Sequence, residues 1–397
     1  MPHVTPRRPA ILSVCADAVA ACVGPVAILA LTASAALAAP CGGDHTLAIG
    51  VFGPLTGSSK DFGEMALNSV KLAAADFDKA GGCSIEIRLY DSQGAAAQAP
   101  ALAQRALRDA SVIALIGPQF SGEAKAAMPI LNAGGLPAVT AVATNPSLTQ
   151  QGWSFFHRTS GDDANEGPAD ARYIIDQLKV GKAAVVDNAG EYGKGIADYV
   201  RQTLALGHVD IVVSESIDAG APDYSATVNK IKANGVEAVY CGCYYAEASR
   251  LLTQMRQSGV KATLVGASGL YDHRFLAAVG AANGDGTVAS TQAVAPGHFA
   301  GAADFEKRYK DVNHGEPLPY APETYDAATA VLKGIQAGAV TRAALNDWLI
   351  NQADFQGVSG RIKFGQHGNV SGSETSFFVA GNGVFEFKTS LRDGQWQ

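Results

Sequence analysis

The sequence predicts an α/β fold of two doubly wound, Rossmann-like lobes with a cleft between them, and three observations carry that reading. Short apolar runs alternate with amphipathic stretches of helical period, the signature of parallel strands joined by right-handed crossovers. The alternation stops near a polar, turn-rich segment, Gly161 to Gly167, and then restarts. The composition, 47% hydrophobic and 17% charged over 397 residues, is enough to bury two cores.

The elements follow in order. Strand Leu47–Phe52 runs into a glycine-punctuated loop, Gly53 to Gly63, and then into a helix that places Leu67, Val70, Ala74 and Phe77 on one face and stops at Gly81-Gly82. Strand Ile85–Tyr90, a helix over Ala101–Arg108, strand Val112–Gly117, helix Gly122–Ala133 and strand Leu136–Thr140 continue the pattern. A short strand, Phe155–Arg158, precedes the crossing. Beyond it come helix Pro168–Leu178, strand Ala183–Asp187, helix Lys194–Leu204, strand Val209–Ser214, helix Tyr224–Ala233, strand Ala238–Cys241, helix Glu247–Ser258 and strand Thr263–Gly266. Thr287–Thr291 crosses back, helices Ala303–Val312 and Pro322–Ala337 complete the first lobe, and a β-rich tail from Gly360 returns to the second. The expected lobes are therefore 39–162 with 293–358, and 163–292 with 359–397.

The first 38 residues read as a signal peptide. Arg7 and Arg8 form a positive start, an Ala/Val/Leu-rich stretch follows, and Ala36-Leu37-Ala38 fits the small-x-small cleavage pattern, so the mature chain is expected to begin near Ala39. Val19-Ala20-Ala21-Cys22 is a weak lipoprotein box followed by an apolar run that suits a mature start poorly. No later apolar stretch is long enough to span a bilayer. The mature chain keeps Cys41, Cys83, Cys241 and Cys243. Cys41 and Cys83 precede neighbouring strands and are expected to form a disulfide in an oxidising compartment. Cys241 and Cys243 lie two apart on one strand, a spacing that strains a mutual bridge, and read as two small core residues.

Charge and motifs narrow the function. With a net charge of −7 and 30 basic residues, the chain presents no phosphate-neutralising surface, which excludes nucleic acid as the expected partner. Histidines are scattered singly, so no metal site is expected. There is no G-x-G-x-x-G after a strand, no P-loop and no G-x-S-x-G elbow, so an enzyme is not expected and no cofactor is required. What remains is a binding site. Two strand-to-helix crossings each deliver a hydroxyl at the carboxyl end of a strand, Ser121 and Thr144, where free helix N–H groups also point, and the pair suits an anionic group.

Dispersed segments carry a resemblance. Gly53-Pro54-Leu55-Thr56-Gly57 with Phe62-Gly63, Tyr90-Asp91-Ser92, Ile116-Gly117 with Ser121, Ala143-Thr144-Asn145-Pro146, Phe156-His157-Arg158-Thr159, Glu191-Tyr192-Gly193-Lys194-Gly195, Asp223-Tyr224-Ser225 and Gly357 to Phe364 stand in matching order from about Thr46 to about Gly383. In these the chain resembles the type I periplasmic solute-binding proteins of branched-chain amino-acid ABC transporters, the leucine/isoleucine/valine group. The resemblance implies a monomeric, periplasmic receptor that closes on a small carboxylate-bearing solute and hands it to a membrane permease. It also implies that Ser121 and Thr144 hold the ligand carboxylate, that the Val142 carbonyl accepts from its ammonium, and that Phe62, Tyr192 and Tyr244 cover it.

One position departs from that pattern. Ser268 stands where the amino-acid binders carry an acid, and losing a charge-assisted hydrogen bond to an ammonium costs about 1.5–3 kcal/mol. Either another acid such as Glu123, Asp272 or Glu247 substitutes, or the ligand is an aromatic or keto acid without the amino group. A role as the ligand sensor of a signalling system is a further alternative. Gly94 and Phe120 occupy the positions of the family's usual disulfide.

Overall fold

The computed structural model describes residues 46–397 apart from 295, 296, 298, 366 and 371–373. The expected signal peptide, its cleavage point and Cys41 lie outside the described residues; Cys83 is disulfide-bonded.

The first lobe is built from β1 (Leu47–Gly53), α1 (Lys60–Lys79), β2 (Ile85–Asp91), α2 (Ala99–Arg108), β3 (Val112–Ile116), α3 (Ser121–Ala133), β4 (Ala138–Thr140) and β5 (Phe156–Arg158). Its five strands run in the order β2-β1-β3-β4-β5, all parallel. β1, β3 and β4 are buried along their whole length because helices cover both faces, which is why they read as continuous apolar runs.

The chain then enters α4 (Asp163–Arg172), which continues as a π-helical turn over Tyr173–Leu178. The second lobe adds β6 (Lys182–Asp187), α5 (Glu191–Leu206), β7 (Asp210–Ser216), α6 (Ser225–Ala233), β8 (Ala238–Gly242), α7 (Tyr245–Gln257), β9 (Thr263–Gly266), α8 (His273–Val279), α9 (Ala281–Gly284) and β10 (Val288–Thr291). Helices α10 (Ala302–Asn313), α11 (Ala321–Gln336) and α12 (Arg342–Asn351) return to the first lobe: Val331, Ile335 and Leu345 share a core with Ile49, Val51 and Val70. A two-stranded ribbon, β11 (Asp354–Gln356) and β12 (Arg361–Lys363), follows, and β13 (Thr375–Gly381), β14 (Val384–Arg392) and β15 (Gln395–Trp396) extend the second sheet. That sheet has the order β15-β14-β13-β10-β9-β8-β6-β7, with the last five strands parallel and the tail antiparallel.

Three differences from the sequence reading have physical reasons. Helix α4 begins at Asp163, five residues before the expected start at Pro168, because the Asp162 side chain caps it by accepting from Ala164 N at 3.2 Å. The segment read as a polar crossing is thus the first helical turn. The tail returns to the second lobe later than the expected 358/359 boundary: β12 pairs only with β11, Ile362 and Phe364 bury into the first-lobe core, and Asn369 still bridges to Arg158. Cys241 and Cys243, read as separate core residues, are bonded to each other. The strand stops at Gly242, and Cys243 N turns back to Cys241 O at 2.9 Å, which brings the Cα atoms to 5.2 Å and within disulfide range. Gly242 and Gly193 pack backbone to backbone here, so a Cβ on either would strike the other's carbonyl oxygen.

The bridge makes a direct prediction. Alkylation of the denatured, unreduced protein leaves Cys241 and Cys243 unmodified, and prior reduction exposes both; peptide mapping that finds both alkylated without reductant would refute the bond.

Candidate ligand-binding site

The carboxyl ends of β3 and β4 carry the two hydroxyls. Phe120, not Ser121, is the N-cap residue of α3; the Glu123 side chain reaches back to Phe120 N at 3.1 Å and takes a hydrogen bond from Ser92 Oγ at 2.5 Å. Ser121 is therefore the first helical residue, and its Oγ accepts from Asn145 N at 3.2 Å, leaving its own proton to donate. Thr144 is 2% exposed, and its Oγ1 has no hydrogen-bond partner among the described residues. Thr140 Oγ1 stitches the two crossings together by donating to Pro118 O at 2.8 Å and accepting from Val142 N and Ala143 N at 3.3 and 3.2 Å.

Behind the Thr144 loop lies Arg158, a guanidinium with no exposed surface. It donates to Ala143 O at 2.9 Å, Asn145 O at 3.2 Å, Asn369 Oδ1 at 2.9 Å and Asp162 Oδ2 at 3.3 Å. Four acceptors hold the loop, the α4 cap and the returning chain in one place.

Facing Thr144 across the crossing are the acids of α4. Asp163, Glu166 and Asp170 are fully buried and, spaced three and four apart, share one helical face. The backbone N–H of Asp163 donates to Thr144 O at 3.1 Å. Neither carboxylate oxygen of Asp163 has a hydrogen-bond partner among the described residues; the Thr144 hydroxyl is near enough to lower its pKa but falls short of bonding geometry. Burial, reinforced by Glu166, pushes the Asp163 pKa well up. Glu166 is different. It accepts from Ser268 N at 2.9 Å, from Ser268 Oγ at 2.9 and 2.7 Å, and from Ser290 Oγ at 3.0 Å, donors that oppose the upward push of burial. Asp170 accepts from Tyr240 Oη at 3.0 Å.

Ser268 therefore does not leave its loop without a carboxylate, because Glu166 brings one to it from α4. The three acids named from the sequence as substitutes are held elsewhere. Glu123 belongs to the α3 cap, with burial raising its pKa to about 7. Asp272 caps α8 through Arg274 N at 2.8 Å and pairs with the Arg274 guanidinium. Glu247 sits in the first turn of α7, near Asn188 and Arg250. Sequence reading missed Asp163 and Glu166 because Asp-Asp-Ala-Asn-Glu-Gly looks like a turn; the 163, 166, 170 spacing was the available signal.

The expected aromatic positions come together. Phe62 meets Phe120 edge-on at 5.3 Å between ring centroids and Tyr244 at 6.2 Å, Phe120 lies 4.7 Å from Tyr244, and Tyr244 stacks on Tyr192 at 5.1 Å. Val142 packs in the same cluster. Tyr192 Oη accepts from Gly269 N at 3.1 Å, next to Ser268. Gly94 lies against the Phe120 ring. The lobes are closed: Lys125 pairs with Glu191 at 2.8 Å, Asn145 Nδ2 donates to Glu191 O at 2.7 Å, Tyr245 Oη donates to Ser58 O at 2.8 Å, and Arg274 pairs with Asp61.

Beside the site, Glu323 on α11 is 2% exposed, accepts from Val294 N at 2.7 Å through one oxygen and has its pKa raised by burial to about 8. A carboxyl raised in the folded state weakens folding once pH passes its unfolded value, and the loss is complete above the folded value. Glu323→Gln should therefore flatten the fall in melting temperature between about pH 4.5 and 8. A pH profile identical to wild type would show that Glu323 titrates normally.

Known proteins of similar sequence and fold identify the family. A Leu/Ile/Val-binding protein of Rhizobium johnstonii is 31% identical over 361 residues, covering 88% of this chain and 95% of the relative. The crystal structure of the leucine-binding protein LivK from Thermotoga maritima superposes with a TM-score of 0.81 at 24% identity, covering 88% of this chain and 99% of that one. The Streptococcus pneumoniae branched-chain amino-acid binding protein LivJ, in complex with isoleucine, gives 0.80 at 26% identity over 86% and 98%. The periplasmic binding protein family matches residues 46–382, and this chain belongs to it.

Proposed function

We propose that the protein is the periplasmic receptor of an ABC importer, which closes its two lobes on an α-amino acid of the branched-chain type and presents it to a membrane permease. Residues 1–38 serve as the cleaved export signal, and the mature receptor acts as a monomer. The first lobe holds the ligand carboxylate through Ser121, Thr144 and the free N–H groups of the first turn of α3. The ammonium lies against Asp163, with the Val142 carbonyl as a second acceptor. Phe62, Phe120, Tyr192 and Tyr244 surround the apolar side chain. Leu/Ile/Val-binding proteins among the relatives support the same ligand class.

The observation that carries this reading is the unpartnered, fully buried carboxylate of Asp163 beside the unpartnered hydroxyl of Thr144. A buried carboxylate without a cation must take up a proton or find a positive partner. An α-amino acid supplies both the anion for the hydroxyls and the cation for the acid. A keto acid or an aromatic acid supplies only the first and leaves Asp163 uncompensated, so the absent acid at position 268 no longer favours that alternative.

Calorimetric titration of the mature protein with L-leucine, its 2-keto acid and benzoate should find leucine bound most tightly. Asp163→Asn should cost leucine about 3 kcal/mol or more, the range for breaking a buried charge pair. Preference for the keto acid or benzoate in wild type would overturn the amino-acid reading. For the carboxylate grip, Ser121→Ala and Thr144→Ala should each weaken leucine by about 1–3 kcal/mol. Because Thr144 Oγ1 has no hydrogen-bond partner among the described residues, Thr144→Ala should leave the melting temperature without ligand close to wild type; undiminished affinity in both variants would exclude the pair from the site.

A further inference from the structure

We propose that the cavity enclosed by the chain crossings between the lobes is a second binding site, which takes a small monovalent cation and thereby favours the closed form. The crossings are the segments between β5 and α4, between β10 and α10, and between β12 and β13. They surround a cavity of about 190 Å³, to which they contribute Gly161, Gln292 and Val370 in turn, and Glu323 of α11 lines it from the first lobe. None of the residues around it is among those named for the cleft. Glu323 also joins two of the crossings directly: its carbonyl accepts from Thr159 Oγ1 at 2.9 Å, and its Oε1 accepts from Val294 N at 2.7 Å.

The wall of this cavity has acceptors to spare. Glu323 is 2% exposed, and its Oε2 has no hydrogen-bond partner among the described residues. Gln292 Oε1 lies against Gly161, buried and likewise without a partner, while Gln292 Nε2 donates to Thr375 Oγ1 at 3.3 Å. The other charged groups nearby are engaged. Glu374 accepts from Ser390 Oγ and from Arg392, Arg361 pairs with Asp354, and Asp326, one turn along α11, accepts from Val358 N and Ser359 N. The Tyr320 phenol also faces Glu323 from the start of the same helix. What the cavity lacks is a positive charge. One uncompensated carboxylate matches one such charge, whereas a divalent ion would leave an excess buried. Carboxylate and amide oxygens are ligands that suit a hard cation, and the volume has room for an ion that keeps part of its water shell. Lobe motion is absorbed by a few residues in crossings of this kind. An ion held by Glu323 and Gln292 ties the first lobe to the second crossing in the arrangement of the closed form. By linkage, cation and cleft ligand then strengthen each other.

A proton competes with the cation for Glu323, whose pKa burial raises to about 8, so occupancy should grow as pH rises through that value. The test compares sodium chloride with N-methyl-D-glucamine chloride, both at about 0.1 M so that screening is equal. At about pH 9 sodium should raise the melting temperature without ligand by about 2–3 °C, and at about pH 6 the gain should vanish. Glu323→Gln should show no gain at either pH. Calorimetric affinity for L-leucine at about pH 9 should rise about threefold with sodium in wild type and stay unchanged by sodium in Glu323→Gln. Absence of a sodium-specific gain in wild type at about pH 9 would overturn the site, showing that a proton or the Gln292 amide nitrogen already satisfies Glu323. An equal gain in Glu323→Gln would overturn it as well. A larger gain with calcium chloride at the same ionic strength would overturn the monovalent assignment, and a gain in stability without a change in leucine affinity would overturn the link to closure. The thermal-shift arm uses no cleft ligand, so failure of wild type to bind leucine would remove the amino-acid reading while leaving the test of this site decisive.

Discussion

The buried guanidinium of Arg158 is the interaction on which the site depends. Taking an arginine fully out of water costs several kcal/mol unless its donors are satisfied and a counter-charge is close. Here Asp162 supplies the charge and three other oxygens accept from the two terminal nitrogens, while Nε has no partner among the described residues. The four acceptors belong to three parts of the architecture that border the cleft. Ala143 O and Asn145 O bracket Thr144, Asp162 caps the helix that carries Asp163 and Glu166, and Asn369 forms an isolated bridge to Arg158 on the chain returning from β12. The Thr144 hydroxyl and the α4 acids are thus placed by one side chain at the end of β5. Removing that side chain would leave several buried carbonyls and a carboxylate unpaired at once, so the loss would exceed that of any single hydrogen bond.

The balance of charge across the cleft follows from α4. Three carboxylates on one buried helical face would be untenable if all were ionised and unpaired. They divide the problem. Glu166 is ringed by Ser268 and Ser290 donors, Asp170 is bonded to the Tyr240 hydroxyl, and Asp163 alone has neither oxygen engaged. Only Asp163 is left to be neutralised from outside. The serine at position 268, which looks in the sequence like the loss of a charge, is better understood as the partner of a charge that has moved to a neighbouring element.

Much of this was legible in the sequence. The strands of both sheets follow from apolar runs, Ser121 and Thr144 stand at the two crossings, and Val142, Phe62, Tyr192 and Tyr244, which only the family resemblance pointed to, gather in adjoining clusters. What escaped has a common cause: polar and small residues were read by their usual preferences where tertiary structure overrode them. Asp-Asp-Ala-Asn-Glu-Gly has turn composition, yet a side-chain cap from Asp162 makes it helix and turns its acids inward. Cys241 and Cys243 would share a face of a continuing strand at a spacing that strains a bridge, but the strand ends between them.

Closure itself must be driven from the centre of the cleft. The contacts that span the lobes at its rim are partly exposed: in the Lys125–Glu191 pair the lysine side chain is 57% exposed, and such surface pairs contribute about 0–1 kcal/mol. Tyr245 to Ser58 and Asn145 to Glu191 are single hydrogen bonds of comparably modest net effect. The buried aromatic contact of Phe62 and Phe120 with Tyr244 adds more, but it is indifferent to what lies beside it. Against these stand the desolvated hydroxyls of Thr144 and Tyr320 and the carboxylate of Asp163, each of which makes the closed form costly until a complementary group meets it. A ligand shifts an equilibrium only by its differential affinity for the two states. With the rim weak and the centre polar and unpaired, the proposed amino-acid ligand would draw that difference from the groups facing its anion and its cation, so that selectivity and closure would arise from the same contacts.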